Sequence, residues 1–520
     1  MPAVHLEVEK KYSADDAFEL PPLAELVTGG AGADAGQLSA AEPQRQQLRA
    51  TYFDTADLRL AAAGLTLRRR TGGDDAGWHL KVPVSGDARS EVRLPPGRAG
   101  RTVPQPLQRM VRVHSRGELL RPVAEISTDR TVHRLVDATG QVVAEVADDR
   151  VTARRLVTAE EDAAGAPTSW REIEVELVGG AAELLDGIDA RLREHGLEAA
   201  GSSSKLAHVL DGAAGDRTDG AEKKGKKSMT AKSESGAVVL AHVRAQVEQI
   251  RTQDLPVRLD APDAVHKMRV ATRRLRSALR TFKPLFDREV ARPLRGELKW
   301  LAAELGAARD AEVMRDRVAA SVAHEADAAG AQRAVAELDR LYREAHDRVL
   351  AELDGERYHR LVADLDALVA NPPSTPRAGD RAGAVLPRLV GRSYTAVRRL
   401  VEQARALPAG PEREELLHDA RKAAKAARYA GESVSGVFGS DATAFAGAME
   451  EVQEALGEHQ DSVLTRERLH ALGTSATSAE TAFLLGRLHA LEEARAEHFR
   501  DRFDAAWKAA QRKSLHRWTA

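Results

Sequence analysis

The stretch HLEVEKKY, residues 5–12, places charged side chains at three alternate positions, Glu7, Glu9 and Lys11. Because successive side chains of a β-strand point to opposite faces, this spacing puts all three on one face. Two like charges on one strand face repel each other unless a cation lies between them, and a divalent metal held by oxygen ligands is the simplest such cation. The alternative interpretation is the solvated outer face of an edge strand.

The composition limits the classes of protein that fit this chain. At 520 residues it is too long for one ordinary core, which predicts two or more domains. The formal net charge of −2 means that any anion site is built locally. The absence of cysteine excludes disulfides, thiolate metal sites and thiol nucleophiles. The chain begins without a signal pattern and has no apolar run near the ~18 residues that span a bilayer, so we expect a cytoplasmic protein without a membrane partner.

A change of pattern divides the chain in two. Residues 211–236 are rich in Gly, Ser and Lys, which predicts a flexible linker. Residues 1–210 contain seven or eight segments of period two separated by turn residues, such as LRATYFDT and WREIEVELV, which favour an antiparallel sheet that closes on itself. Residues 237–520 have helical periodicity almost throughout. The expected fold class is therefore α+β, with a β-rich domain followed by an all-α domain.

Charged residues recur on one face of several predicted strands. Arg68 and Arg70 share a face in LTLRRR, Lys81 points away from its apolar neighbours in WHLKVP, and residues 172–176 repeat the opening pattern with three glutamates. Acids in one region would hold Mg²⁺ or Mn²⁺, and bases around the rest would neutralise phosphate oxygens. The pattern therefore favours a barrel with a charged interior.

Residues 4–210 resemble the CYTH family of triphosphate tunnel metalloenzymes. The resemblance rests on the signature E-x-E-x-K at residues 7–11 and on the later charged strands in the same order. It implies an eight-stranded antiparallel barrel whose tunnel binds a triphosphate together with Mg²⁺ or Mn²⁺. The bases that match the phosphate-contacting, catalytic positions are Lys11, Arg68, Arg70, Lys81, Arg130 and Lys205.

The same resemblance implies a set of metal-holding carboxylates. Two choices stay open, namely which two glutamates of the last strand bind metal, and whether Asp148 or its neighbour Asp149 faces the tunnel. The matching carboxylates are Glu7, Glu9, Glu91, Asp148, Glu172, Glu174 and Glu176.

The helical half contains an internal duplication. Residues 265–282 (VHKMRVATRRLRSALRTF) align with residues 417–434 (LHDARKAAKAARYAGESV), 152 positions apart (418 minus 266). In both, a histidine and three bases follow the spacing i, i+3, i+7, i+10, which places them on one helix face. Four such side chains repel each other unless an anion is expected, whereas the alternative is a solvated face that pairs with acids elsewhere.

Residues 237–520 resemble the CHAD domain, whose motif is the H-x-x-R-x-x-x-[RK]-x-x-R helix found here twice. The resemblance implies two four-helix bundles related by pseudo-twofold symmetry, with a basic groove that binds inorganic polyphosphate. Lys267, Arg274 and Lys299 are additions by proximity. The residues that would line the groove are His266, Arg269, Arg273, Arg276, His418, Arg421, Lys422, Lys425 and Arg428.

We therefore expect a metal-dependent inorganic triphosphatase that hydrolyses tripolyphosphate and short phosphate chains, held on polyphosphate, or on polyphosphate granules, by its helical domain. A nucleoside triphosphatase or adenylate cyclase is the alternative enzyme, although the sequence shows no base-binding pocket. A non-catalytic polyphosphate sensor is the alternative from another class. Nucleic acid is disfavoured as a partner because the basic stripes have almost no aromatic residues beside them.

Overall fold

The computed structural model divides the chain into two compact units, Met1–Gly225 and Lys226–Ala520. The described residues are 3–27, 38–85, 88–97, 102–156, 166–202, 204–214, 228–322, 328–408, 410–474 and 478–519.

The first unit is built around a closed antiparallel barrel of eight long strands. The strands follow the order β1-β6-β5-β4-β3-β7-β8-β9, and pairing of β9 with β1 closes the circle. Two-residue strands β2 (Ser39–Ala40) and β10 (Glu198–Ala199) pair with β7 and β1 respectively. The barrel strands are β1 (Ala3–Ala14), β3 (Gln44–Asp54), β4 (Thr66–Thr71), β5 (Gly77–Ser85), β6 (Ala88–Leu94), β7 (Arg121–Val136), β8 (Val142–Arg155) and β9 (Thr168–Leu177).

One apolar cluster of this unit lies outside the barrel wall, under short helices, and a second contains the cavity-lining Tyr52 and packs against Leu206 and Val209. Strand alternation turns Lys10 and Tyr12 outward, where the Tyr12 hydroxyl donates a 2.7 Å hydrogen bond to Asp189. Ile173 and Val175 of β9 are fully buried in the cluster that packs beneath these helices. The charged residues on the alternate positions therefore face inward. The helices are α1 (Leu23–Val27), α2 (Arg59–Ala62), α3 (Gln105–Ser115), α4 (Ala182–Glu194) and α5 (Lys205–Ala214).

A tight glycine turn joins β4 to β5. Gly72 has φ +82°, and a Cβ there would lie 2.1 Å from the carbonyl oxygen of Gln47. Only glycine fits such a position without displacing the neighbouring strand. The turn brings Asp75 back against the inward-facing Arg70, with which it forms an ion pair.

The second unit is helical and contains the predicted repeat. Long helix α12 is two helices, 411–438 and 440–474, that meet at Gly439, whose φ of 55° is not helical. The first four helices, α6 to α9, then correspond in order to α11, the first part of α12, the second part of α12, and α13. The motif helices α7 and α12 contact each other. Helix α10 is an addition between the repeats. The bounds are α6 (Ser235–Arg258), α7 (Ala264–Thr281), α8 (Arg288–Val322), α9 (Ala328–Asp354), α10 (Glu356–Ala370), α11 (Ala382–Ala406), α12 (Pro411–Thr474) and α13 (Ala479–Ala510).

The fold class is confirmed, and described structure extends into both ends of the linker predicted over 211–236. Helix α5 continues to Ala214. At the other end, the N–H of Ala382 donates to the carbonyl of Ser233 at 2.8 Å, and the N–H of Ser235 donates to Asp380 at 2.8 Å. These hydrogen bonds fasten the segment before α6 to the start of α11. Residues 215–227 of the predicted linker lie outside the described residues.

Within the described parts of the chain, no helix combines the length and the apolar character needed to cross a membrane.

Candidate functional site

The barrel encloses a cavity of about 360 Å³ whose lining is mostly charged. Further polar side chains that sequence reasoning did not select as site residues also line it, among them Tyr52, Asp75, Arg93 and Glu145. Predicted site residues that line the cavity are Glu7, Glu9, Lys11, Arg68, Arg70, Lys81, Arg130, Glu174, Glu176 and Lys205.

Strands β1 and β9 form an acidic wall. Their register pairs Glu9 with Glu176 and Lys11 with Glu174. The Lys11 ammonium lies 3.2 Å from Glu9 and also contacts Glu174. Lysine and carboxylates thus alternate along the wall, as the spacing of the opening stretch predicts.

Glu176 is the carboxylate of this wall that lacks a cation. In the described part of the chain it forms no ion pair, although Lys81 contacts Glu7 and lies 4.0 Å from Glu9. Burial and the charge of Glu7, with further repulsion from Glu9, raise the pKa of Glu176 to about 7. Crowded carboxylate oxygens with a deficit of positive charge are the donor set that Mg²⁺ and Mn²⁺ bind. The residues Glu7, Glu9 and Glu176 therefore fit a divalent metal.

A second acidic group lies deeper, around Lys205. Carboxylate oxygens of Asp149, Glu172 and Glu174 lie within 4.8 Å of one another, a spacing that also suits a metal ion. The Lys205 ammonium already contacts all three, at 2.8, 2.6 and 2.8 Å respectively. Arg130 adds two hydrogen bonds to Asp149, at 2.7 and 2.6 Å. The charge of this buried triad is therefore balanced by side chains of the protein itself.

The opposite wall is basic and is held by a buried carboxylate. Arg68 donates a 3.4 Å hydrogen bond to the Tyr52 hydroxyl and lies 3.7 Å from Glu91. Burial and the charge of Arg68 lower the pKa of Arg70, because the two guanidiniums crowd each other. A phosphate chain between the walls would relieve this crowding.

Glu91 does not line the cavity, contrary to its predicted place among the metal ligands. It is fully buried, and its Oε1 lies 2.9 Å from Nδ1 of His79. Burial opposes its ionisation, but the hydrogen bond with His79 and the charges of Lys81 and Arg68 lower the pKa of Glu91 below its ordinary value. Its contacts make it a counter-ion for the basic wall. His79 and Arg93 lie two residues from Lys81 and Glu91, so period-two spacing was the signal that could have found them.

Asp148 is the second correction. Both its oxygens accept hydrogen bonds from Arg171, at 2.9 and 2.8 Å, on the outer side of the sheet. Arg171 also donates to the carbonyl of Phe18, which fixes this pair beyond the wall. The fully buried neighbour Asp149 faces inward, since alternation allows one of two adjacent residues to do so.

In the helical unit, both repeats hold the first motif arginine against a glycine. A Cβ at Gly306 would lie 3.5 Å from Arg269, and a Cβ at Gly457 would lie 2.8 Å from Arg421. The glycines are 151 positions apart (457 minus 306), so the duplication extends to this contact. Burial and the charges of Arg269, Arg276 and Arg421 lower the pKa of Arg273, which shows that arginines of both repeats converge.

Other motif residues do not join this convergence. Arg428 lies between Glu432 and Glu450, at 2.6 and 2.7 Å, because the i+4 position of its own helix is acidic. Its guanidinium is therefore paired with acids, and its place in the basic groove stays a prediction. Lys422 is well exposed and pairs with Asp419, and Arg274 pairs with Glu432.

The remaining predicted groove residues differ in exposure. Burial and the nearby Arg309 lower the pKa of His266, which is half-buried. Lys425 is also half-buried, while His418 and Lys267 are exposed.

A charged-interior barrel joined to a duplicated helical unit defines the class of this protein as a two-domain tunnel protein. The model of the CYTH domain matches residues 24–209, and the model of the CHAD domain matches residues 241–470. Two uncharacterized proteins of Mycobacterium tuberculosis, from strains CDC 1551 and H37Rv, are each 37% identical over 525 residues, covering 97% of this chain and 96% of the relative. The chain belongs to the family of proteins that join a CYTH domain to a CHAD domain.

Solved structures are similar to one half or the other. PptA from Streptomyces chartreusis is 24% identical with a TM-score of 0.44, covering 53% of this chain and 100% of its own. The CHAD domain from the plant Ricinus communis is 24% identical with a TM-score of 0.45, covering 54% of this chain and 93% of its own. HpAC1 from Hippeastrum, described as having a dominant triphosphatase activity, is 18% identical with a TM-score of 0.23, covering 41% and 96%.

Proposed function

We propose that the protein is a metal-dependent inorganic triphosphatase that hydrolyses tripolyphosphate and short phosphate chains, and that its helical domain binds inorganic polyphosphate. The observation that carries the proposal is one cavity with two opposed walls. An acidic wall with an unneutralised Glu176 faces a basic wall containing Arg68 and Arg70. A linear polyanion that carries its own divalent metal complements both walls at once.

The metal belongs to the acidic wall. Glu7, Glu9 and Glu176 would hold Mg²⁺ or Mn²⁺, because Glu176 forms no ion pair in the described part of the chain and lies near the charges of Glu7 and Glu9. When bound, such an ion neutralises phosphate oxygens and lowers the pKa of a water molecule. The buried triad around Lys205 already has its cation.

The bases position the phosphate chain. Phosphoryl transfer to water depends on alignment and charge neutralisation, and it needs no covalent nucleophile from the protein. Arg68 and Arg70 present guanidiniums to phosphate oxygens from one side, while Lys11 reaches the terminal phosphate from between Glu9 and Glu174.

An inorganic chain fits the lining better than a nucleotide. Among the described residues around the cavity, Tyr52 is the one Phe, Tyr or Trp side chain, and its hydroxyl is hydrogen-bonded to Arg68. It therefore supports the basic wall and offers no free platform for a base.

The helical domain would hold longer chains. The convergence of Arg269, Arg273 and Arg421 presents positive charge from both repeats to one polyanion. Tethering the two domains in one chain raises the local concentration of phosphate ends near the tunnel. A cytoplasmic location, where polyphosphate and divalent cations meet, is part of this proposal.

Phosphate release tests the proposal directly. The full chain is incubated with tripolyphosphate, ATP and long-chain polyphosphate, each with Mg²⁺, with Mn²⁺ and with EDTA. We expect metal-dependent release that is fastest from tripolyphosphate. Preference for ATP would make the protein a nucleoside triphosphatase, and formation of cyclic AMP would make it a cyclase. No release from any substrate, with polyphosphate still bound, would make it a sensor.

A further inference from the structure

Two hollows of the helical unit meet at the C-terminal end of motif helix α7. The larger, of about 820 Å³, lies between α7 and the start of α8, and the smaller, of about 500 Å³, reaches α11 and α12. They share Arg280, Lys283, Pro284 and Arg295, so they form one continuous surface. We call the surface lined by both hollows the basin.

The basin is strongly and uniformly positive. The described residues that line it include no aspartate or glutamate, and in the described part of the chain none of its cations forms an ion pair. Arg288 and Arg392 lie at its edges. The central cations are Arg276, Arg280, Lys283, Arg292, Arg295 and Lys299.

This crowding has an electrostatic cost in the absence of an anion. Burial and the charges of Arg280 and Arg295 lower the pKa of Arg276. Other exposed cations of the unit are paired, as Arg340 is with Glu337 and Glu344. The basin instead gathers several cations without a carboxylate among its described lining residues, which gives it the character of an anion site.

Most of the basin cations lie on the first repeat, and several of them have no basic equivalent in the second. At the offset of 152 positions between the two motif helices, Arg280 corresponds to Glu432, which pairs with Arg428. At the offset of 151 given by the two glycines, Arg292 corresponds to Thr443 and Lys299 to Glu450. Both copies of the motif carry the basic stripe, but the basin cations Arg280, Arg292 and Lys299 occur in the first copy alone.

We propose that the basin is a binding site for a linear inorganic phosphate chain, continuous with the motif arginines of the first repeat. Arg276 belongs to both, and it joins the stripe to the basin. This inference rests on the proposed function of the helical domain and assigns its principal site to one repeat. The described lining contains no aromatic side chain, so the basin suits a polymer of phosphates without bases.

A triple variant tests the assignment in the full chain. Arg292→Ala, Arg295→Ala and Lys299→Ala together remove three basin cations that are exposed or half-buried. If each contacts a phosphate, the slope of log K for long-chain polyphosphate against log salt falls by about 2, and the affinity at about 150 mM salt falls at least tenfold.

The control variant removes the same charge elsewhere. Arg340→Ala, Arg343→Ala and Arg405→Ala replace arginines that are already ion-paired on other exposed surfaces. We expect its affinity and its salt slope to match the unmodified chain. Equal losses in both triple variants would reduce the effect to net charge and overturn the inference.

Two further measurements separate this inference from the function it rests on. If the basin variant binds polyphosphate normally while Arg269→Ala with Arg421→Ala loses binding, the basin is wrong and the polyphosphate function stands. If neither variant loses binding, both assigned sites are wrong, and if the unmodified chain does not bind long-chain polyphosphate, the polyphosphate function itself is wrong. A loss of binding to a single-stranded oligonucleotide as large as the loss for polyphosphate would overturn the choice of ligand. Unchanged tripolyphosphate hydrolysis and thermal unfolding show that the basin variant is folded.

Discussion

The tunnel and the basin both present arginine and lysine side chains, but in opposite electrostatic arrangements. Each of the six predicted phosphate-contacting bases of the tunnel lies within 4.0 Å of a carboxylate oxygen. The described cations of the basin have no such partner. A phosphate chain in the tunnel meets positions that are fixed in advance, which chemistry needs. A chain on the basin meets charge alone, which is enough for holding it.

This difference predicts different consequences of mutation. Tunnel charges are interlocked, so the loss of one disturbs its neighbours and the fold around them. Basin cations have no ion-pair partner in the described part of the chain, and Arg292 and Lys299 are exposed, so the loss of these two affects binding and leaves the fold intact.

The double variant Glu7→Gln/Glu9→Gln should show the largest effect, which is on catalysis. Both changes keep the shape of the side chain but remove the charge that would hold the metal. We expect the rate of phosphate release from tripolyphosphate to fall by at least about 10³-fold. Polyphosphate binding by the helical domain should not change.

Glu125→Gln is the matched control for this variant, because Glu125 pairs with Arg154 on the outside of the barrel. It should hydrolyse tripolyphosphate at the normal rate. Normal activity in the Glu7/Glu9 variant would remove the acidic wall from the mechanism.

The variant Lys205→Met should show the next largest effect, a loss of stability of the barrel. This change leaves Asp149, Glu172 and Glu174 without their shared cation in a buried site. Breaking a buried pair in this way costs about 3–5 kcal/mol, which thermal or urea unfolding of the barrel measures. By comparison, Arg292→Ala in the basin should change the free energy of unfolding by less than about 0.5 kcal/mol. Similar losses in the free energy of unfolding for the two variants would contradict the contrast between paired tunnel charges and unpaired basin charges.

A smaller effect is on the pH dependence of metal binding. Glu176 has a pKa of about 7 in the metal-free barrel, so a proton competes with the metal below that pH. The affinity for Mg²⁺ or Mn²⁺, measured by calorimetry, should rise about tenfold from pH 6 to pH 8. Glu176→Gln should weaken binding and flatten this dependence.

Glu176 also makes the stability of the metal-free barrel depend on pH, in the opposite direction: a rise in pH strengthens metal binding but lowers this stability. Because the folded-state pKa lies above the ordinary value of 4.5, the folded barrel binds this proton more tightly than the unfolded chain does. Its contribution to stability is present below pH 4.5 and is lost as the pH rises through about 7. A metal-free barrel whose stability rises over this window, with the rise abolished by Glu176→Gln, would contradict the assignment.

The smallest effect distinguishes the two repeats. Gly457→Ala brings a methyl group to 2.8 Å from Arg421, whereas Gly306→Ala leaves an ordinary 3.5 Å contact with Arg269. Both changes favour the helix by about 0.5–1 kcal/mol. We expect Gly457→Ala to weaken polyphosphate binding about twofold by moving Arg421, and Gly306→Ala to leave it unchanged. Equal behaviour in a binding titration would mean that these contacts do not position the arginines.

The barrel was predictable because strand alternation is visible in the sequence. The spacing of Glu7, Glu9 and Lys11 sets the inward face of β1, and the same rule places Arg68 and Arg70 on β4. Alternation alone cannot choose between the adjacent Asp148 and Asp149, because that choice depends on which residue of β8 opposes which residue of β9.

The partners of each charge were not predictable. Glu91 carries a charge of the expected kind at the expected spacing, but His79 and Arg93 saturate it from neighbouring positions. Arg428 fits the motif, yet Glu450 reaches it across a helix–helix contact that sequence spacing does not reveal. Apart from Arg276 and Lys299, the basin cations were missed for the same reason, since they come from α7, the turn after it, α8 and α11, and the helical packing alone brings them together.

The most direct test of the account measures hydrolysis and binding in parallel on the same three proteins. These are the unmodified chain, the Glu7→Gln/Glu9→Gln variant and the Arg292→Ala/Arg295→Ala/Lys299→Ala variant, each assayed for phosphate release from tripolyphosphate and for affinity toward long-chain polyphosphate. We predict that the Glu7→Gln/Glu9→Gln variant loses tripolyphosphate hydrolysis and keeps polyphosphate binding. The basin variant should lose polyphosphate binding and keep tripolyphosphate hydrolysis. Loss of both properties in either variant, or of neither in both, would contradict the division of labour between the tunnel and the basin.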